Sequence, residues 1–163
     1  MNPNLNRLQL YPFQKLAQLL EGVTPRSDLT PINLSIGEPK HATPQFIQKT
    51  LAQNLEGLAN YPTTQGSPGL REAIAAWLKR RFNLQHINSD TEVLPVNGSR
   101  EALFAIAQAV IDASLPEPVV VCPNPFYQIY EGAALLACAV PHFLNILPQN
   151  NFMLEFGQLD ESI

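Results

Sequence analysis

EVLPVNGSREALFAIAQAVI, residues 92–111, runs from a β-branched segment through Asn97-Gly98-Ser99 into an amphipathic pattern. Its apolar residues Leu103, Ile106, Ala107, Val110 and Ile111 follow the i, i+3, i+4, i+7, i+8 spacing of a helix with one buried face. Ser99 suits the N-cap, because its hydroxyl can satisfy a free amide of the first turn. Gly98 permits a sharp turn and brings bare backbone close to whatever lies above it. Free N–H groups and the positive end of the helix dipole then converge on one spot, an anion site to which Arg100 adds a cation. A strand–turn–helix that holds a phosphate is one reading of this stretch, and ordinary Gly-Ser capping is the other. The motif is neither the GxGxxG dinucleotide fingerprint nor the GxxxxGK[ST] nucleotide loop.

Toward the carboxyl end, Leu115-Pro116-Glu117-Pro118 is a turn, and Val119-Val120-Val121-Cys122 is the continuous apolar run of a strand covered on both faces. Pro123-Asn124-Pro125-Phe126 breaks it. A helix is expected over about residues 128–137 and another strand over 140–146, despite Pro141. Alternating strands and helices from residue 92 onward predict an α/β architecture with crossover connections. Pro95 argues against a fully paired central strand at 92–96, since it has no N–H to donate to a ladder.

Toward the amino end, residues 68–82 form a strong helix with Leu70, Ile74, Trp77, Leu78 and Phe82 as its buried stripe. Residues 60–69 precede it as a loop of turn residues with one aromatic, Tyr61. Thr43-Pro44 opens a helix that carries Phe46, Ile47, Leu51 and Leu55. Residues 32–36 alternate with period two, as a half-buried strand does, and end at Gly37-Glu38-Pro39. Residues 13–20 read as a short helix stopped by Gly22, and residues 1–10 as an irregular arm.

The 163 residues suffice for one domain with a core, and a chain 45% hydrophobic and 15% charged is globular. A formal net charge of −4 and a pI near 5.3 argue against nucleic acid or an anionic membrane as partner. Lys79-Arg80-Arg81 is the one dense basic run, and at a helix end it compensates the dipole. No apolar run approaches the roughly 20 residues of a membrane span, and no secretory signal is visible. Cys122 and Cys138 lie in apolar surroundings without ligand spacing, so buried thiols in a reducing cytoplasm are expected. His41, His86 and His142 share no ligand spacing, and no metal is expected.

In open α/β sheets, ligands lie beyond the carboxyl ends of the strands. The turn 97–100 and the loop 123–127 each follow a strand, so both are expected on one side. The first offers an anion cradle and the second offers the rings of Phe126 and Tyr127. Together they suit a planar phosphorylated cofactor, although a ring at Tyr127 is equally at home in a core.

Several blocks now carry a resemblance: Leu34-Ser35-Ile36-Gly37-Glu38-Pro39 with Thr43-Pro44, Tyr61-Pro62 with Gly66 and Leu70-Arg71-Glu72-Ala73-Ile74, Asn97-Gly98-Ser99-Arg100-Glu101-Ala102-Leu103-Phe104, and Pro123-Asn124-Pro125-Phe126-Tyr127. The chain resembles the amino-terminal part of class I/II aminotransferases, the fold-type-I group that uses pyridoxal 5′-phosphate. The run from Asn124 to Leu135 looks most like N-succinyldiaminopimelate aminotransferases of lysine biosynthesis. The resemblance implies a three-layer α/β/α large domain with a mostly parallel sheet, incomplete here. Residues 1–44 would be an arm and small-domain segment, and 45–163 the first part of the cofactor-binding domain.

By the same resemblance, Gly98, Ser99 and Arg100 hold the cofactor phosphate and Tyr127 stacks on its ring. Tyr61 reaches the phosphate of the partner in a homodimer, Gly37 lines the pocket for the substrate's α-carboxylate, and the amino-terminal arm lies on the partner. The implied substrates are an N-succinylated diamino acid and 2-oxoglutarate, with glutamate as the amino donor. The family's Schiff-base lysine falls beyond Ile163, and Lys15, Lys40, Lys49 and Lys79 stand in no matching context. No catalytic residue is therefore assigned within the chain, and the polypeptide alone is not expected to turn over. A non-catalytic remnant, or an unrelated α/β module that binds a phosphorylated small molecule, is the alternative.

Overall fold

The computed structural model describes residues 1–160 and 163. It contains two compact units, one of Met1–Lys15 with Val96–Ile163 and one of Leu16–Pro95.

The first unit is built on a βαβ motif. Strand β1 (Val119–Asn124) leads through helix α5 (Ile129–Leu136) into strand β2 (Val140–Asn145). The strands pair in parallel, with Val119 opposite Val140 and Asn124 opposite Asn145. A parallel pair needs a crossover, and the small residues of α5 let it lie close on the strands. Cys122, Ala133, Ala134, Leu135, Ala137, Ala139 and Leu144 are the buried apolar residues here. Pro123 sits inside β1, where the run of valines ends, so the strand passes through the residue expected to break it. Helix α4 (Ser99–Val110) packs on α5, with the Gln108 amide donating to the Ala133 carbonyl at 3.1 Å.

The expected amino-terminal arm is partly ordered by the chain itself. Pro3–Arg7 is a 3-10 helix capped by Asn2, whose side chain accepts from the Asn4 amide. It lies against α5, and the Asn4 amide nitrogen donates to Cys138 Sγ at 3.3 Å.

In the second unit, α3 (Pro68–Phe82) occupies the expected range. Ser67 accepts from the Leu70 amide, Pro68 takes the first turn, and Asn83 closes the helix in the left-handed region at φ 52°. The other helix here, α2 (Gln45–Gln53), starts one residue after Pro44, with no side-chain cap from Thr43. Helix α1 (Pro12–Leu19) spans the boundary between the units.

Two expected strands are absent among the described residues. Residues 32–36 and 92–96 are irregular, with Ile32 83% and Leu34 86% exposed. Alternation marks a segment that can enter a sheet, but a strand needs a neighbour to complete its hydrogen bonds, and neither segment has one here. Pro95 adds a missing donor to the second case.

Candidate functional site

Gly98, and not Ser99, is the N-cap of α4. Gly98 takes φ 109°, a conformation that L side chains rarely adopt, so the turn belongs to glycine and Ser99 moves into the first helical position. The expected capping bond from Ser99 is therefore absent. Glu101 reaches back instead and accepts from the Asn97 amide at 2.5 Å. That exchange resembles half of a capping box and fixes the turn from the helix side. The Ser99 hydroxyl stays available, beside the unbonded first-turn amides and at the positive end of α4.

Arg100 and Tyr127 come together across 27 residues of sequence. Arg100 Nε donates to the Tyr127 hydroxyl at 2.9 Å, and the guanidinium carbon stands 5.8 Å from the ring centroid. The Tyr127 oxygen, with Tyr11 adding to it, raises the Arg100 pKa above the ordinary guanidinium value. The Tyr127 ring meets Tyr130 edge-on at 6.0 Å and keeps 37% of its surface exposed. Phe126, half-buried, packs on Phe143 at 4.7 Å and lines the same cavity as Tyr127. Asn124-Pro125, just before them, is a cis peptide bond.

Arg100 and Tyr127 line a cavity of about 520 Å³ together with Tyr11, Lys15, Gln128 and Glu131. Tyr11 and Lys15 were not legible as site residues. Nearly ninety positions separate them from Arg100, and an arm followed by a short helix carries no local signal for a pocket. Neither Lys15 nor Arg100 has a carboxylate within salt-bridge distance among the described residues. The lining is mostly apolar, from Leu8, Leu10, Pro12, Phe126 and Ile129, with Lys15 and Arg100 as its cations and Glu131 as its carboxylate.

Tyr61 and Gly37 belong to the other unit. Tyr61 is 96% exposed at a loop, and a Cβ placed on Gly37 would meet no atom within 4 Å. Among the described residues, no three His, Cys, Asp or Glu side chains gather as a metal site. No helix among them is long and apolar enough to cross a membrane.

A family model described as "Aminotransferase class I and II" matches residues 30–163. The chain belongs to the class I and II aminotransferases. A curated relative, the LL-diaminopimelate aminotransferase of Dehalococcoides mccartyi, is 36% identical over 134 residues, covering 81% of this chain and 34% of the relative. An aminotransferase structure from Neisseria meningitidis Z2491 superposes with a TM-score of 0.90 at 44% identity, over 99% of this chain and 41% of that one. The aminotransferase AspB of Helicobacter pylori 26695 gives a TM-score of 0.82 at 35% identity, over 95% and 39%. This α/β chain with its small parallel sheet therefore spans 34% to 41% of the length of these relatives. The family depends on pyridoxal 5′-phosphate. The residues of the site fit that group: a free hydroxyl and free amides at the turn 98–100 suit a phosphate, and a half-open phenol ring beside them suits a planar heterocycle.

Proposed function

We propose that this chain forms the phosphate- and ring-holding part of a pyridoxal-phosphate aminotransferase. The observation that carries the reading is the pairing of Arg100 with Tyr127, which sets a half-exposed ring beside the amino-terminal turn of α4. The Ser99 hydroxyl and the first-turn amides hold the phosphate, with Gly98 shaping the turn and the Arg100 terminal nitrogens facing the same charge. Tyr127 lies against the heterocycle and is kept in place by the Arg100 bond. Gly37 lines the pocket for the substrate's α-carboxylate, and Tyr61 reaches the phosphate site of the partner in a homodimer. When bound, the cofactor supplies the electron sink for bond breaking at the substrate's α-carbon.

The substrates are an amino acid of the diaminopimelate class and a 2-oxo acid, as the relatives named LL-diaminopimelate aminotransferase support. The run from Asn124 to Leu135 favours the N-succinylated form, with 2-oxoglutarate as acceptor, and a place in lysine biosynthesis in the cytoplasm. Residues 1–44 serve as arm and small-domain segment, and 45–163 as the start of the cofactor domain.

Pyridoxine 5′-phosphate, which lacks the aldehyde and so cannot react with surface lysines, tests the site directly. Calorimetric titration should show saturable binding, with Ser99→Ala weaker by about 1.5–3 kcal/mol, the worth of a hydrogen bond to a charged group. Equal affinity for wild type and Ser99→Ala, or no binding at all, would remove the phosphate reading. In an enzyme that contains this chain, faster turnover of LL-diaminopimelate than of its N-succinyl derivative would overturn the finer substrate assignment.

A further inference from the structure

Arg71 is the buried charged side chain among the described residues, 7% exposed near the start of α3. All three of its nitrogens donate. Nη1 reaches the carbonyls of Gln65 at 3.3 Å and Gly66 at 2.9 Å. Nε reaches the Ser89 carbonyl at 3.1 Å, and Nη2 the Asp90 carboxylate at 2.8 Å. One guanidinium therefore joins the end of the loop that carries Tyr61 to the beginning of the segment 89–95, which continues into Val96 and the turn at Asn97. A second tie lies nearby. Gly66 holds φ 72°, and a Cβ added there would stand 2.8 Å from Pro95 Cγ, so the same two segments touch at a point where only glycine fits.

The loop beyond this base is bare. Tyr61 is 96% exposed and makes no ring contact among the described residues. A large aromatic fully in water gives its own fold nothing, while a buried guanidinium is costly to desolvate and often contributes no more stability than apolar packing would. Its planar fork does, however, fix several acceptors in one geometry, which a lysine cannot do. We infer that Arg71 is a positioning residue: it sets the loop that presents Tyr61 in register with the segment entering the phosphate-holding turn. This inference rests on the reading of Tyr61 as a phosphate contact.

The test is a double-mutant cycle on the full chain, read as the dissociation constant for pyridoxine 5′-phosphate. Tyr61→Phe and Arg71→Lys should each weaken binding by on the order of tenfold, and the double variant should be no weaker than either single, because both remove one contact. A merely structural arginine would lower the thermal midpoint and leave the affinity, or its loss would multiply with that of Tyr61→Phe. Arg71→Lys binding like wild type while Tyr61→Phe is weakened overturns the inference and leaves the cofactor reading intact. A silent Tyr61→Phe removes the Tyr61 assignment and this inference with it, and a wild-type chain that does not bind removes both together with the phosphate site. Should Arg71→Lys fail to unfold cooperatively, Asp90→Asn replaces it: the carboxylate is 74% exposed, so the fold survives, and a smaller loss with the same non-additivity is expected. Additivity of Asp90→Asn with Tyr61→Phe would overturn the inference equally.

Discussion

Cys122 and Cys138 are both free thiols in opposite surroundings. Cys122 is 1% exposed on β1, and burial, with the Glu131 charge adding to it, pushes its thiol up from the ordinary value. Cys138, expected to be buried as well, is exposed at the turn after α5, with the Asn4 amide on its sulfur. At neutral pH a maleimide should label Cys138 and spare Cys122 in the native chain, as peptide mass spectrometry would read; equal labelling would contradict the burial. The raised value also has a stability consequence. Its contribution is complete below the unfolded thiol range, about 8.5, and is lost as pH rises through the higher folded value. The thermal midpoint should therefore fall on the alkaline side, and Cys122→Ala should remove that part of the fall. The burial of Cys122 was legible in the apolar run that it ends, but the expected cover on both faces is not there: Val119 is exposed, and Val120 and Val121 line an open groove. The turn of Arg100 onto Tyr127 was not legible, since it depends on how β1 places a ring relative to a helix begun 20 positions earlier.

Elements were legible where their ends are set locally. Helix α3 has a capping serine, a proline at its first position and an Asn at φ 52° just past its end, and all three act within one turn of the boundary they mark. Helix α4 shows how close competitors shift such a boundary. Gly98 and Ser99 both favour a cap, and the positive φ available to glycine decides between them. The irregular segments 32–36 and 92–96 mark the limit of local reading, because sheet membership depends on distant partners. The cap of α3 is open to a direct measurement. Ser67→Ala removes the bond from the Leu70 amide and should cost about 1 kcal/mol, seen as a lower urea midpoint at unchanged slope. Ser67→Asn should keep most of it. A Ser67→Ala midpoint equal to wild type would mean that the first turn of α3 is held by Arg71 and Pro68 alone.

At the scale of the whole chain, the α/β class was legible and so was the apolar stripe of α4, but not the fate of that stripe. Leu103, Ile106, Ala107 and Val110 line an open apolar groove with Val120, Val121 and Tyr130, of about 360 Å³. Ile106 is 59% exposed and Val110 71%. Strand β1 pairs with β2 along one edge and has no second strand among the described residues. The surface as a whole agrees. The 18.0 kDa chain exposes 13758 Å², whereas two separate folded domains of half that mass would together expose about 10,000 Å² by the usual scaling. Phe46, Leu51, Leu58 and Val110 are among many large apolar residues more than half exposed. An open apolar groove beside a free strand edge drives association. The isolated chain should accordingly show a sedimentation mass that rises with concentration, and should enhance the fluorescence of a hydrophobic dye. Ile106→Glu combined with Val110→Glu places two charges in the groove at two exposed positions of α4. It should shift the concentration midpoint of association upward by on the order of tenfold, if the groove is worth a typical buried side chain or so per partner. A chain that stays monomeric at all concentrations, or a double variant that associates as wild type does, would show that this face does not drive association.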